Sequence, residues 1–414
     1  MTTKCTCDVN LNRDDPLAHL SSRSNWETFD TTLANERNDD VRIELVQNIV
    51  VGLPTSGAGG EILPLVAVRC DGGRTVSLST KGMEFRGNVL SKDGKRSVFA
   101  TINWNEEEQR HHFSVPAILP SGSYNVDLIL LHVGGQAIND PPCMNNLTLR
   151  THCAKETRWF SHFSSTVLTI DIVKKSVLVP LQQQTCGPWV NSPGMWRQDL
   201  NGRWKWHYPP CRQTASVGDS TRSSDCVMMG DSTFSYLHEK MKTRHNNGTC
   251  SLYSITDSRS AVRAIKTLST RVGSKVNPLP KLIIYNTGLH GTCYGSLAEE
   301  VKLIRPILQN LTNLFDHVVV RSTVALTFLP GLDFQKDKCI YYTERRLLVL
   351  NAETEKVCRE LNIPFWDVFA MTASSFPFSV KATTDGTHYC KFPRNEACHE
   401  EMRNLKEIVA HFLS

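Results

Sequence analysis

Long hydrophobic runs are missing from this chain of 414 residues. No stretch approaches the roughly 18 consecutive apolar residues that a membrane-crossing helix needs, so no membrane span is expected. The N-terminus, MTTKCTCDVNLNRDDPLAHL, has no apolar h-region and is not a signal peptide. A strong charge of one sign is missing too. The formal net charge is +5, too mild to argue for nucleic acid or an anionic membrane, and no Lys/Arg block or RNA-binding signature stands out. Paired CxxC motifs are also lacking. Only Cys5 and Cys7 come close together, so no zinc site and no other metal site is expected.

What is present is ordinary in bulk and unusual in detail. Hydrophobic residues make up 40% and charged residues 21%, as in a soluble globular protein, and the length suggests two or three domains. The detail is 14 cysteines. An even count scattered through loop-like sequence fits disulfides and an oxidising compartment. Three sequons, at Asn146, Asn247 and Asn310, point the same way. The expected address is the lumen of the secretory pathway, the Golgi included, or the extracellular space. Either a targeting segment is missing from this chain or that address is wrong. A cytosolic protein with buried free thiols is the alternative.

Residues 1–40 are polar and mixed in charge. Residues 41–140 carry short alternating runs, such as Tyr124, Val126, Leu128 and Leu130 against Asn125 and Asp127. The turn signals DGG, KDGK and PSGS separate them, which predicts an antiparallel β-sandwich. Residues 141–214 read as an irregular connector rich in Cys and Trp, packed on the next domain. Its tryptophans, Trp159, Trp189, Trp196, Trp204 and Trp206, either line a sugar-binding cleft or plug the connector against that domain. Residues 215–414 alternate strand and helix: CVMM, then Phe234, Leu237 and Met241 on one helix face, then KLIIYN and HVVVRST. A helical pattern runs over Glu344–Leu361, IPFWDVF reads as a strand, and Asn404–Leu413 as a closing helix. That order predicts a three-layer α/β domain with a mostly parallel sheet.

Gly-Asp-Ser-Thr occurs twice, at Gly218 and Gly230. A nucleophilic serine needs a sharp turn after a strand and a helix directly behind it, so that backbone N–H groups face the site. Only Ser232 meets that test, because CVMM precedes it and an amphipathic helix follows. Ser220 is flanked by polar residues and is assigned to a loop. A serine needs a base, and the base an orienting acid. TTDGTHYC near the C-terminus offers Asp385 and His388, spaced so that the carboxylate reaches Nδ1 and Nε2 faces the nucleophile. After KLII, the run Tyr285-Asn286-Thr287-Gly288-Leu289-His290 offers Asn286 as an oxyanion donor. The Ser232 N–H and a glycine N–H, Gly248, are the other expected donors. Asp231, Gly288, His290 and Arg321 are candidates for substrate contact.

Together these blocks resemble the SGNH/GDSL hydrolase superfamily, and more closely its PC-esterase branch. CVMMGDSTFSYL is similar to that branch's strand–GDS–helix block, IIYNTGLHG to its Asn-x-Gly block, DGTHYC to its Asp-x-x-His block, and WKWHYPPCR to its Trp/Pro/Cys element. GMEFRGNVLSK and SGSYNVDLILLHVGG resemble the filamin-like immunoglobulin-type module of NXPE (neurexophilin and PC-esterase domain) proteins. The likeness runs over about residues 40–414. The chain departs from that pattern in showing no signal or anchor. It also keeps Asp385, which some NXPE proteins lack.

The resemblance implies an immunoglobulin/filamin-like sandwich ahead of an SGNH-hydrolase-like domain. It implies O-acyl transfer, O-acetyl above all, or ester hydrolysis at a carbohydrate hydroxyl, with a glycan or an O-acetylated carbohydrate as partner. No bound cofactor is expected. Acetyl-CoA or another acyl donor would enter as a co-substrate. An α/β-hydrolase would want Gly-x-Ser-x-Gly, which Met229-Gly-Asp-Ser-Thr does not supply. The non-enzymatic alternative is an inactive secreted or cell-surface binding protein of neurexophilin-like type.

Overall fold

The computed structural model describes residues 41–133, 166–174, 194–207, 225–244, 250–272, 279–325, 344–375, 388–391 and 395–413, with breaks at 46–48, 54–57, 64, 72–73, 79–82, 106–109, 117–118, 287 and 295. Residues 1–40, Ser220, Gly248 and Asp385 lie outside the described residues, as do Trp159 and Trp189. The chain divides into two units, each taken by itself below.

The first unit holds β1 (Val41–Leu45), β2 (Ile49–Leu53), β3 (Ala58–Leu63), β4 (Leu65–Asp71), β5 (Arg74–Leu78), β6 (Met83–Ser91), β7 (Arg96–Asn105), β8 (Arg110–Pro116), β9 (Gly122–Val133) and β10 (Thr166–Lys174). β6 runs antiparallel between β7 and β9, and β8 joins β7 to β3. β1, β4 and β5 form a separate antiparallel sheet. The KDGK turn between β6 and β7 is set by Asp93, whose Oδ1 accepts from Ser91 Oγ and from the Lys95 N–H. Alternation works here as expected from side-chain period two: Tyr124 and Val126 are buried while Asn125 is not. Phe85, Val89, Val98, Phe113 and Val115 complete this core.

The expectation of an irregular connector over 141–214 needs correcting in two places. TVLTIDIVK is a strand, β10, antiparallel to β9 and parallel to β2, so it belongs to the first unit. Its own period-two signal is plain in hindsight, with Ile170 and Ile172 buried and Asp171 exposed. Further on, β11 (Met195–Gln198) and β12 (Trp204–His207) form an antiparallel hairpin that opens the described part of the second unit.

The second unit continues with β13 (Cys226–Gly230), α1 (Ser232–Arg244), β14 (Ser251–Ser254), α2 (Ser258–Val272), β15 (Leu282–Tyr285), α3 (Leu289–Tyr294) and α4 (Leu297–Leu314). β16 (His317–Arg321), α5 (Glu344–Glu360), β17 (Phe365–Trp366), α6 (Phe369–Ser374) and α7 (Glu396–Leu413) complete it. The five strands β14-β13-β15-β16-β17 lie side by side in that order, every pair parallel. Because successive side chains point to opposite faces, the sheet feeds two cores. Cys226, Met228, Leu282, Ile284 and Val319 join Phe234, Leu237 and Met241 of α1 and Leu405 and Ile408 of α7. Val227, Met229, Ile283, Val318 and Val320 join Ile265 of α2, Leu308 of α4 and Leu350 of α5. The result is the expected three-layer α/β arrangement. Each such buried side chain contributes about 1.5–3 kcal/mol relative to exposure.

Three boundaries differ from expectation. β17 is only two residues of the expected IPFWDVF strand. The closing helix starts at Glu396, not Asn404, because Asn395 caps it by accepting from the Cys398 N–H at 3.1 Å. β14 was not expected, since SLYS is a half-exposed edge strand with no apolar run. Of the tryptophans, Trp196 and Trp206 meet edge-on at 5.5 Å inside the first of the two cores. The Trp196 Nε1–H donates to the Met371 carbonyl at 2.8 Å. These two plug the hairpin onto the sheet and do not line a cleft.

Candidate active site

From β13 the chain crosses outward to β14, then back past β13 to β15. Successive crossovers therefore part between β13 and β15, and in open parallel sheets such a switch point leaves a crevice at the C-terminal strand ends. Ser232 follows β13 there, and Asn286, Gly288 and His290 follow β15. The turn is tight for a stated reason. A Cβ on Gly230 would stand 2.4 Å from the Phe234 ring, so a side chain at 230 would push the helix start away from the strand.

Asp231 is the N-cap of α1. Its Oδ1 accepts from the Thr233 N–H at 2.9 Å and from Thr233 Oγ1 at 2.6 Å, and its carbonyl accepts from the N–H groups of Phe234 and Ser235. Ser232 stands as the first helical residue, half-buried. Its Oγ lies 2.8 Å from His388 Nε2 and 3.2 Å from His290 Nε2. A hydroxyl at a helix start thus lies within hydrogen-bonding reach of an imidazole that precedes the last helix, so a proton could pass between them.

Somewhat under half of the chain is similar in fold to solved structures that include a putative acylhydrolase and a GDSL-like lipase. A putative acylhydrolase from Bacteroides fragilis matches with 16% identity over 47% of this chain and 90% of that one, at a TM-score of 0.35. A carbohydrate acetylesterase family member from Sinorhizobium meliloti matches with 18% identity over 46% and 99%, at 0.31. The C-terminal catalytic domain of a Streptococcus pneumoniae peptidoglycan O-acetyltransferase matches with 15% identity over 46% and 93%, at 0.32. These figures describe a partial likeness of fold and say nothing of substrate. No protein-family model and no curated protein matches the sequence.

His388 is held from several sides. Its ring meets Tyr236 edge-on at 4.7 Å, and its carbonyl accepts from the Lys391 N–H at 3.0 Å. Two residues further, Cys390 is disulfide-bonded to Cys398 in the first turns of α7, which anchors the base-bearing segment to the last helix. A second disulfide, Cys226–Cys250, ties the starts of the neighbouring strands β13 and β14. Among the described residues, Cys358 is free and buried. Burial, and then the neighbouring Glu355, push its thiol up to about 12, which makes it inert as a nucleophile.

Two expected substrate contacts require correction. Asp231 is wholly buried and serves as the helix cap just described, with its Oδ2 facing no partner among the described residues. Arg321 is buried as well. Its Nε donates to Glu401 Oε1 at 2.6 Å, its Nη2 pairs with the same oxygen, its Nη1 donates to Thr233 Oγ1 at 3.2 Å, and its guanidinium lies over the Phe234 ring. Groups so enclosed hold the turn that carries Ser232 and present no exposed side chain for substrate. Burial pushes the Glu401 carboxyl up and the Arg321 guanidinium pulls it back, while the nearby Asp231 pushes it up further.

Asn286 is also buried, and one of its two amide hydrogens goes to the Arg321 carbonyl at 3.1 Å. Gly288 has a φ of +129°, and a Cβ there would stand 2.5 Å from Leu350 and 2.7 Å from Thr323 Oγ1. It permits a close turn and offers no side chain for contact. His290 does reach the site. Three participants were not foreseen: Thr233, Glu401 and Tyr236. Tyr236 had a signal, since it stands four residues beyond Ser232 on one helix face. Glu401 had none, being 80 residues from Arg321 in sequence.

Proposed function

We propose that this chain transfers or hydrolyses an acyl ester through Ser232, with His388 as base and Asp385 as the acid that orients it. The observation that carries the reading is the 2.8 Å contact between Ser232 Oγ and His388 Nε2 at the C-terminal edge of a parallel sheet. His388 takes the hydroxyl proton as Oγ bonds to the ester carbonyl carbon. The tetrahedral oxyanion then collapses, and the leaving alcohol takes the proton back from His388. The Ser232 N–H at the start of α1 and the Gly248 N–H would donate to that oxyanion. The acyl-enzyme passes its acyl group to a second hydroxyl or to water.

The acceptor we propose is a carbohydrate hydroxyl and the group an acetyl, with acetyl-CoA or another acyl donor as co-substrate. This rests on the motif resemblance to the PC-esterase branch and its NXPE members. The strand unit is proposed as immunoglobulin-like. Support comes from Tyr124, near the start of β9, whose hydroxyl donates to the Pro120 carbonyl at 2.9 Å in the manner of a tyrosine corner. Two disulfides, and no described helix long and apolar enough to cross a membrane, are consistent with a secreted or lumenal protein.

The test is fluorophosphonate labelling of the full chain together with p-nitrophenyl acetate turnover. Wild type is expected to label and to turn over. Ser232→Ala is expected to lose both, and Ser220→Ala neither. A chain that neither labels nor turns over, though correctly disulfide-bonded, would favour the inactive binding protein.

A further inference from the structure

Ser232 Oγ has one hydrogen and two imidazole nitrogens within reach, His388 Nε2 at 2.8 Å and His290 Nε2 at 3.2 Å. A hydroxyl donates once. Where both contacts are hydrogen bonds, one ring carries its hydrogen on Nε2 and donates to the oxygen. The 2.8 Å contact suits an O–H donor, and the 3.2 Å contact lies at the long end for an N–H donor to oxygen. That pattern is met with the Nε2 hydrogen on His290. His290 is half-buried and on the nucleophile itself.

We propose that His290, as the neutral Nε2–H tautomer, is a catalytic hydrogen-bond donor that supplies a side-chain member of the oxyanion hole. The inference rests on the reading of Ser232 and His388 given above. No proton leaves His290 in the cycle. As the Oγ–carbon bond forms, the carbonyl π pair moves to its oxygen, and the His290 N–H turns from Oγ to that oxyanion two bonds away. His388 alone gains the serine proton and returns it to the leaving alcohol.

The backbone that presents His290 is fixed on three sides, which suits a donor that must hold its aim. Thr292 Oγ1 donates to the Gly288 carbonyl at 2.6 Å. Gly288 closes against Thr323 and Leu350, and Gly291 against the Glu300 carboxyl, where a Cβ would stand 2.4 Å away.

The test compares His290→Ala, His290→Gln and His290→Asn in the full chain, by p-nitrophenyl acetate kinetics and melting temperature, with Ser232→Ala and His388→Ala in parallel. A Gln amide nitrogen falls where Nε2 stood, and an Asn amide nitrogen where Nδ1 stood. His290→Ala is expected to lower kcat about 100-fold with KM little changed, the usual effect of removing one oxyanion donor. Gln is expected to recover at least about tenfold of that loss and Asn none. The proposal is overturned if His290→Ala keeps wild-type kcat, or if Gln is no better than Asn at equal melting temperature, as a base role would require. If Ser232→Ala and His388→Ala also keep wild-type kcat, the serine reading itself fails. If those two are inactive and His290→Ala is not, only the present inference falls.

Discussion

Two polar clusters flank Ser232, and they differ in burial. On one side, Asp231, Thr233, Arg321 and Glu401 form a closed network in which every element except Asp231 Oδ2 has an internal partner among the described residues. On the other, His388 and His290 are half-buried and both lie within hydrogen-bonding reach of Ser232 Oγ. The buried cluster is suited to holding geometry, because nearly all of its donors and acceptors are engaged. The open one, on the reading proposed above, keeps a nitrogen on the atom that changes bonds. Losses in the first should therefore fall on stability and in the second on turnover.

The sharpest way to break that division is at the open cluster. His388→Ala is expected to lower turnover about 10⁴-fold while the melting temperature stays within a degree or two. At the buried cluster, Arg321→Met leaves the Glu401 and Asp231 carboxylates facing each other without their cation. A loss of about 3–5 kcal/mol is expected, read as a fall of about 10 °C in melting temperature. Adding Glu401→Met should recover part of it. Gly288→Ala tests the support of the open cluster. Strain at positive φ and the collisions with Leu350 and Thr323 should cost about 2 kcal/mol, with turnover reduced through a displaced His290.

The smallest expected effect is at Glu300, buried beneath α3. Its Oε2 accepts from the Ser258 N–H at 3.2 Å and from Ser258 Oγ, and burial pushes its carboxyl up. A carboxyl raised in the folded state contributes stability while protonated at low pH and loses it as pH rises through its folded value. Glu300→Gln, which cannot ionise but can still accept, should match wild type near pH 4. Above that it should melt about a degree or two higher, as a pH series of melting curves would show.

What could be read in advance follows this same line. The strand–turn–helix at CVMMGDST and the β-branched runs KLIIY and HVVVR were legible because their signals are local and their neighbours are set by hydrophobic period. His388 was legible through its spacing to Asp385, although Asp385 lies outside the described residues. The buried cluster was not legible. Arg321 was named as a candidate substrate contact, and only its distant partner Glu401, in the second turn of a helix expected to start at Asn404, explains its burial. Asn286 was placed correctly along the chain, yet its amide direction depends on the register of β15 with β16, which no single segment encodes.

The bond between Cys390 and Cys398 bears on how this molecule should be produced. It staples the segment carrying His388, and closing so short a loop removes about 2–3 kcal/mol of chain entropy from the unfolded ensemble. On the proposed reading, material made in a reducing cytoplasm would keep its serine intact while the imidazole wanders. Such a preparation would then be judged inert, although oxidative refolding ought to restore it.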